Sequence, residues 1–350
     1  AETIADYEAR VGRTLQPAQV ETLILQTLAY REFLVRNQIQ SAAEQNLVEF
    51  STAPVLDFLG ELVGVTRLAA TPATVDLIFV MVAGHGGVTI PAGTRVSSTD
   101  GLAVFATTVA KVVSAGVNLV QVPSRCTVAG TVGNGYTQHR ITNILDPLAF
   151  VSNAYNLLTT GGGAEQETDV ALRERIRLAP ASFSVAGPYN AYKYFARTAS
   201  ASIVDVAVTN PSPGVVQVFP LMDDGNATPT QILNAVYAIC NDERTRPLCS
   251  TLVVTSPTRL DYSLNVELML YDTADQLATK TAVETALQAF VDERRKLLGQ
   301  DVILSQLIRA AQVDGVYSVD FVGFTNIIVS PTTYPFCTNI TVSIVGTTTG

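Results

Sequence analysis

The chain has 350 residues, a length that calls for two to four domains rather than one core. Hydrophobic residues make up 47% and charged residues 15%, against roughly 25% charged in an ordinary soluble domain, so either a covered partner surface or a β-rich fold favouring Thr and Ser accounts for the deficit. The net charge of −9, with no basic run beyond Arg294-Arg295-Lys296, argues against nucleic acid or an anionic membrane as partner.

Glu2, Asp6 and Glu8 stand where a secretory leader would carry a basic start and an apolar run, so no signal is expected. Residues 15 to 50 are predicted to form one long helix, with Pro17 in its first turn. Val20, Ile24, Leu28, Leu34, Val35, Ile39 and Ala42 follow a helical stripe, and Leu23, Leu25, Tyr30 and Phe33 widen it. That is more apolar surface than one contact face needs, so the helix must be covered, either by an ordinary hairpin within the chain or by another chain. A second helix is predicted from Pro54 to Val63, capped by Ser51 or Thr52 and ended by Gly64.

From Thr71 to about Thr160 the period changes to two. Val75, Leu77, Phe79 and Met81 alternate on one strand face, and Gly84 to Gly87, Pro91 to Gly93 and Asp100-Gly101 mark turns. Leu119 to Val122 and Thr127 to Val128 are predicted as further strands, giving a mostly antiparallel β domain. Gly161, Gly162 and Gly163 form an expected flexible joint. A helix follows from Thr168 to Leu178, with Val170 and Ile176 inward, Asp169–Arg173 and Glu174–Arg177 as local pairs, and Pro180 as its stop.

Residues 187 to 256 are predicted as helix, strand, strand, helix, strand. Tyr189, Tyr192 and Phe195 form an aromatic ridge. Ile203 to Thr209 and Val215 to Leu221 form a hairpin. A helix opened by Thr228 and Pro229 puts Ile232, Leu233, Val236, Ile239 and Cys240 on one face. From Arg259 a similar unit begins. Leu260, Tyr262, Leu264, Val266, Leu268 and Leu270 alternate through one strand. Val283, Leu287, Phe290, Val291, Leu297 and Leu298 define a helix ended by Gly299. Leu304 to Ala311 is a second helix, with strands at Val316 to Phe321 and Ile340 to Ile344. The expected class is α+β and multidomain: N-terminal helices over 1–70, a β domain over 71–160, and two α+β modules over 161–257 and 258–350, each with an antiparallel sheet.

Chemistry is sparse. His85 lies between glycines and His139 in a polar loop, with no HExxH spacing, so no metal is expected. No GxSxG elbow occurs. Gly161-Gly162-Gly163 before a helix looks like a phosphate loop, but Glu165, Glu167 and Asp169 put acid where phosphate would sit and suit the helix dipole instead. Gly84, Gly86 and Gly87 lack the strand–loop–helix setting of a dinucleotide site. Asp223-Asp224 before Gly225-Asn226 is expected to be a solvated loop rather than a calcium site, and Asp242, Glu243, Arg244 and Arg246 a charged helix end. Cys126, Cys240, Cys249 and Cys337 form no CxxC pair and are expected as free thiols. No stretch reaches the ~20 apolar residues of a membrane-spanning helix. The expectation is a chain that is not an enzyme, with no catalytic residues, cofactor or metal.

Five blocks, in order, resemble the baseplate J family of contractile phage tails and related injection machines. They are Leu59-Gly60, Gly64 and Arg67 within LDFLGELVGVTRL; Ile90 to Thr94 with Gly101 and Phe105 to Thr107; Gly130, Gly133 and Asn134; Gly161-Gly162 with Glu165, Glu167, Asp169, Leu172, Arg173 and Arg175-Ile176; and Gly187 to Ala196 with Val204 to Val208. One departure is visible: where the family carries a glycine shortly before an Ile, this chain has Gln138-His139-Arg140.

The resemblance implies a structural wedge component surrounding the hub of a tail baseplate. It implies two copies per wedge, a baseplate I-like wedge partner, contacts with other baseplate, hub and sheath-initiating proteins, and transmission of the trigger for sheath contraction. Its place would be the virion's tail baseplate, assembled in the host bacterial cytoplasm. Under it, Val20, Ile24, Leu28, Phe33, Val35 and Ile39 become interface residues of a helical bundle, and Gly161, Gly162 and Gly163 a hinge. A secreted adhesin or ligand-binding protein is the alternative suggested by the Thr- and Gly-rich β region, and a hydrolase without a recognisable motif is a third reading.

Overall fold

The computed structural model describes residues 2–17, 19–183, 188–242, 245–247 and 250–349, and the chain divides after Thr66 into two compact units. Four residues named from sequence, Gly187, Glu243, Arg244 and Cys249, lie outside the described residues.

The first unit is helical. α1 (Glu2–Val11) precedes α2 (Val20–Glu44) and α3 (Val55–Glu61). The expected helix over 15–50 is therefore shorter at both ends. Pro17 disfavours helical backbone at Gln16, whose carbonyl in a turn here accepts from Gln19 N–H at 3.1 Å and from the Thr22 hydroxyl at 2.7 Å. Leu15 is buried, and its N–H donates to the Glu8 carboxylate at 2.7 Å, which ties the turn to α1. At the far end Asn46 donates its side-chain amide to the Ala42 carbonyl as the helix stops. α3 is not capped by Ser51 or Thr52: Pro54 holds the cap position without a side-chain bond. Gly64 does end it. With φ +74 it lets Val65 N–H reach the Gly60 carbonyl and its own N–H reach that of Glu61, a Schellman closure.

The second unit starts with β1 (Thr74–Met81), β2 (Val88–Ile90), β3 (Arg95–Ser98), β4 (Val104–Thr107), β5 (Lys111–Val113), β6 (Leu119–Cys126), β7 (Ile141–Ile144) and β8 (Val151–Asn156). Six of these make one antiparallel sheet in the order β7-β3-β4-β6-β1-β8, and β2 pairs with β5 separately. Val75, Leu77, Phe79 and Met81 all face inward, as their alternation requires. The sheet curls so that its edge strands meet. Asn156 of β8, fully buried, accepts from the N–H groups of Arg140 and Ile141 at 3.0 Å and donates to the carbonyls of Tyr136, Thr137 and Leu158. One side chain thus satisfies edge groups that would otherwise stay open. The strand expected at Thr127–Val128 is absent; β6 ends at Cys126, and Gly130 with φ +113 turns the chain.

Two further layers follow. α4 (Asp169–Leu178), α5 (Tyr189–Ala199) and α6 (Thr230–Cys240) accompany β9 (Ile203–Ser212), β10 (Val215–Met222) and β11 (Thr251–Val254). α7 (Gln276–Arg294) and α8 (Leu304–Ala311) accompany β12 (Thr258–Tyr271), β13 (Val316–Phe321) and β14 (Thr333–Thr348). Neither sheet is antiparallel throughout, contrary to the sequence expectation. β10 pairs antiparallel with β9 but parallel with β11, and β12 antiparallel with β13 but parallel with β14. In the first sheet the reversal comes from α6, a crossover that returns the chain in its original direction. The two sheets share this pattern but not their connections: the central strand is second in one and first in the other. Three separate hydrophobic clusters fill the unit, one inside the curled sheet, one around Val206, Val218 and Val236, and one around Leu264, Leu268, Leu287 and Leu307. The molecule is α+β with several cores.

Candidate functional site

Two features stand out, and neither is a cleft. The first is α2. Val20, Ile24, Leu28, Phe33, Val35 and Ile39 are between 53% and 68% exposed, and Thr22 is its sole buried member. At about 100° of rotation per residue, Val20, Ile24, Leu28, Val35 and Ile39 share one side. Phe33 falls nearly opposite, contrary to its grouping with them. Leu23, Tyr30 and Leu34, also exposed, occupy the flank between. Apolar side chains on nearly every side mark a helix that more than one neighbour must cover. Burying them would contribute on the order of 10 kcal/mol at 1.5–3 kcal/mol for each fully covered side chain, comparable with the net stability of a whole domain.

The second feature joins three of the sequence blocks. Residues 161–169 pass between Arg67–Thr74 and the Gly130–Asn134 turn. Thr71 and Ala164 exchange backbone bonds at 2.8 and 2.9 Å, and Thr74 bridges to Gly161. Asn134 donates to the Gly163 carbonyl at 2.8 Å and accepts from Gly163 N–H at 2.9 Å. A Cβ on Gly163 would lie 2.4 Å from the Gly130 carbonyl oxygen, and one on Gly130 would lie 2.5 Å from Glu165. Here glycine permits close approach of backbones. Gly161 and Gly163 are buried, and Gly162, at φ +84, supplies the one left-handed residue. In this geometry the triplet is a seam packed between the two neighbouring segments.

The acids after the triplet have specific partners instead of a shared role toward the helix dipole. Glu165 accepts from the Thr131 N–H at 2.8 Å and from its hydroxyl at 3.0 Å, and these bonds hold its carboxyl below the usual range. Glu167 and Arg175 form a buried two-pronged pair at 2.6 and 2.8 Å, their side chains 1% and 3% exposed. Glu167 Oε2 also accepts from Leu68 N–H at 3.0 Å. Arg67 donates to the Glu167 carbonyl at 2.8 Å and to Asp169 at 2.7 Å. Thr168 caps α4 by accepting from Ala171 N–H. The expected inward Val170 is 67% exposed, because the side facing the body is taken by Leu172, Arg175 and Ile176. Asp169 pairs with Arg67, 102 residues away, and Glu174 with Arg177 as expected. A carboxylate and an arginine eight residues apart carry no sequence signal of burial, and the Glu167–Arg175 pair was missed for that reason.

The remaining candidates are structural. His85 is buried, bonded to the Val117 carbonyl at 2.9 Å and accepting from Gly87 N–H. His139 takes a left-handed φ of +60, and its ring stacks on Tyr155 at 4.4 Å. Asp224 closes its own turn through Asn226, and Asp223 pairs with Lys296 at 2.7 Å. Arg294 bonds Gln300 and Gln306, and Arg295 pairs with Asp292, so the basic triplet is engaged within the chain. Asp242 holds the turn after α6 through Thr245 and Arg246. Cys126, Cys240 and Cys337 are free thiols, and burial pushes that of Cys240 up to about 12. Among the described residues no cluster of His, Cys, Asp and Glu could hold a metal, and no helix is long and apolar enough to cross a membrane.

Comparison with known proteins gives four matches in chain order. They are to the baseplate J-like N-terminal domain (residues 21–74), barrel domain (78–163), central domain (184–256) and C-terminal domain (262–343). Baseplate protein J of Escherichia phage P2 is 32% identical over 177 residues, 50% of this chain and 58% of that protein, so the match spans little more than half the length of the relative. A chain in the sixfold-symmetrised cryo-EM structure of the anti-feeding prophage baseplate aligns at TM-score 0.44 and 14% identity, over 96% of this chain and 90% of that one.

Proposed function

The chain belongs to the baseplate J-like family, and on that premise we propose that it is a structural component of a tail baseplate that builds the wedge around the central hub. The observation that carries the reading is α2, 25 residues long with its apolar side chains in solvent. A helix of that kind is the expected docking element of a helical bundle. Its other helices are proposed to come from a second copy and from a baseplate I-like wedge protein. The C-terminal module is proposed to link neighbouring wedges, and the assembled ring to pass the trigger on to the sheath.

The glycine seam is proposed as the place where this transmission deforms the body. Proline at 162 is unsuitable as a probe, because φ +84 is closed to it. Alanine at 162 meets no atom closer than 3.7 Å, but at φ +84 it disfavours the left-handed conformation by about 1–2 kcal/mol.

Co-expression tests the assembly reading. The chain alone is expected to self-associate, and the chain with its wedge partner to form a defined complex whose rings are sixfold by electron microscopy. Replacing Ile24 and Leu28 with Asp should abolish that complex. A monodisperse monomer that ignores the partner would instead favour the self-contained adhesin.

A further inference from the structure

Residues 67–72 join the helical unit to the first strand of the body, and their attachment differs in kind from everything that follows. None of them is buried; the first buried residue is Ala73, whose carbonyl accepts from Cys126 N–H at 2.8 Å, and Val75 follows in β1. No strand ladder holds them. Among the contacts that hold them are the isolated Thr71–Ala164 bridge, the Thr71 hydroxyl donating to the Gly162 carbonyl at 3.3 Å, the Gly130 N–H on the Thr71 carbonyl, the exchange between Leu68 and Glu167, and the Arg67 fork. Across from this strip, the Glu167–Arg175 pair is buried, and both bonds between its two side chains remain if Leu68 and Arg67 leave.

We infer that residues 67–72 form a strap that peels from residues 161–169 and reseats as a unit, while β1 and α4 stay folded. The asymmetry supports this. No residue of the strap is buried and Leu68, Ala70 and Pro72 are only half-buried, so opening costs no core side chain and breaks hydrogen bonds that water replaces. The buried pair keeps the socket formed, so the Glu167 carboxylate and the Glu167 carbonyl wait in position for Leu68 N–H and Arg67. Release moves the point at which the chain leaves the body from Arg67 to Ala73. At about 3.3 Å per extended residue, that adds up to about 20 Å of reach. The inference deepens the assembly reading, since extra reach matters to a chain whose helices are held elsewhere. The strap itself is a property of the isolated chain.

Hydrogen exchange on the full chain tests it. In the unaltered protein the amides of Leu68, Thr71 and Glu167 should exchange at least tenfold faster than those of Leu77 and Leu268. Arg67→Ala should speed the strap amides about tenfold further and leave Leu77 and Leu268 unchanged. A double substitution, Thr71→Cys with Ala164→Cys, oxidised by diamide, should staple the bridge. It should then slow the strap amides to the rate of β1 and cancel the effect of Arg67→Ala. Equal rates in strap and β1, a global loss of protection in Arg67→Ala, or a staple without effect would each overturn the strap. All arms use the isolated chain, so such a failure leaves the assembly reading standing, and a failed wedge complex leaves the strap standing.

Discussion

α2 and α7 are long helices of similar make-up that place their apolar residues in opposite ways. α7 buries Thr279, Val283, Leu287 and Val291, a stripe four residues apart that lies on the β12–β14 sheet. α2 buries Thr22 and leaves Val20, Ile24, Leu28, Val35 and Ile39 in water. The stripe is present in both, since both sequences repeat apolar residues at three and four. The difference is the cover. α7 has a sheet within its own chain, and α2 has none among the described residues of its unit, so its stability as an ordered element depends on what is added to it. The same contrast separates the ion pairs. Glu167–Arg175 is sealed in the body, whereas Arg36–Glu32, four residues apart on α2, is exposed on both sides.

The largest expected effect breaks the sealed pair. Arg175→Ala leaves the Glu167 carboxylate buried without its fork, and should destabilise the second unit by about 3–5 kcal/mol. Arg36→Ala should change stability by less than about 1 kcal/mol. Urea unfolding of each variant checks the comparison. Similar values for the two would show that burial is not what distinguishes them.

Next comes the contrast between the helices themselves. Leu287→Ala opens a cavity in the C-terminal core and should cost about 2–5 kcal/mol. Leu28→Ala removes a side chain already 58% exposed, and in the isolated chain should stay within about 0.5 kcal/mol of the parent. In a complex with the wedge partner the order should narrow, because Leu28 then becomes a buried residue. A thermal shift for Leu28→Ala that stays small in the complex would remove α2 from the interface.

What the sequence disclosed follows the same line. Periodic patterns were legible wherever one chain segment sets its own pattern: Val75 to Met81, Leu264 to Leu270 and Leu304 to Ala311 lie where alternation or helical spacing put them. The turn at Pro17 was not, because a proline reads equally well as a first helical residue and as a breaker ahead of one. Sheet direction was not legible either; whether β11 runs with or against β10 depends on the path of α6, which no local pattern encodes. The glycine blocks were visible as a set, but not the reason for them. Gly163 is required by the Gly130 backbone and Gly130 by the Glu165 side chain, contacts spanning about thirty residues and more. Arg67 and Asp169 were both singled out by family resemblance, and only the fold shows that they touch.

The smallest expected effect concerns pH, and it sharpens the comparison by asking which exposed acids matter. In the β domain the Arg95 side chain and backbone N–H hold the Asp146 carboxyl down at about 2, and the Ser98 hydroxyl and Leu102 N–H lower Asp100. In the helical unit backbone bonding and Arg13 lower Glu21. A carboxyl depressed on folding adds stability above its unfolded value near 4, and that stability is lost as pH falls through the folded value. The β domain should therefore weaken between about pH 4 and 2. Asp146→Asn should flatten that decline without altering stability much at pH 7, where added salt already screens an exposed pair. Its melting temperature, followed from pH 7 to 2, decides the matter. A parent and variant that fall in parallel would mean that Arg95 gains nothing from Asp146 in water. The acid limb would then belong to the carboxylates held by backbone N–H groups, as at Asp100 and Glu165.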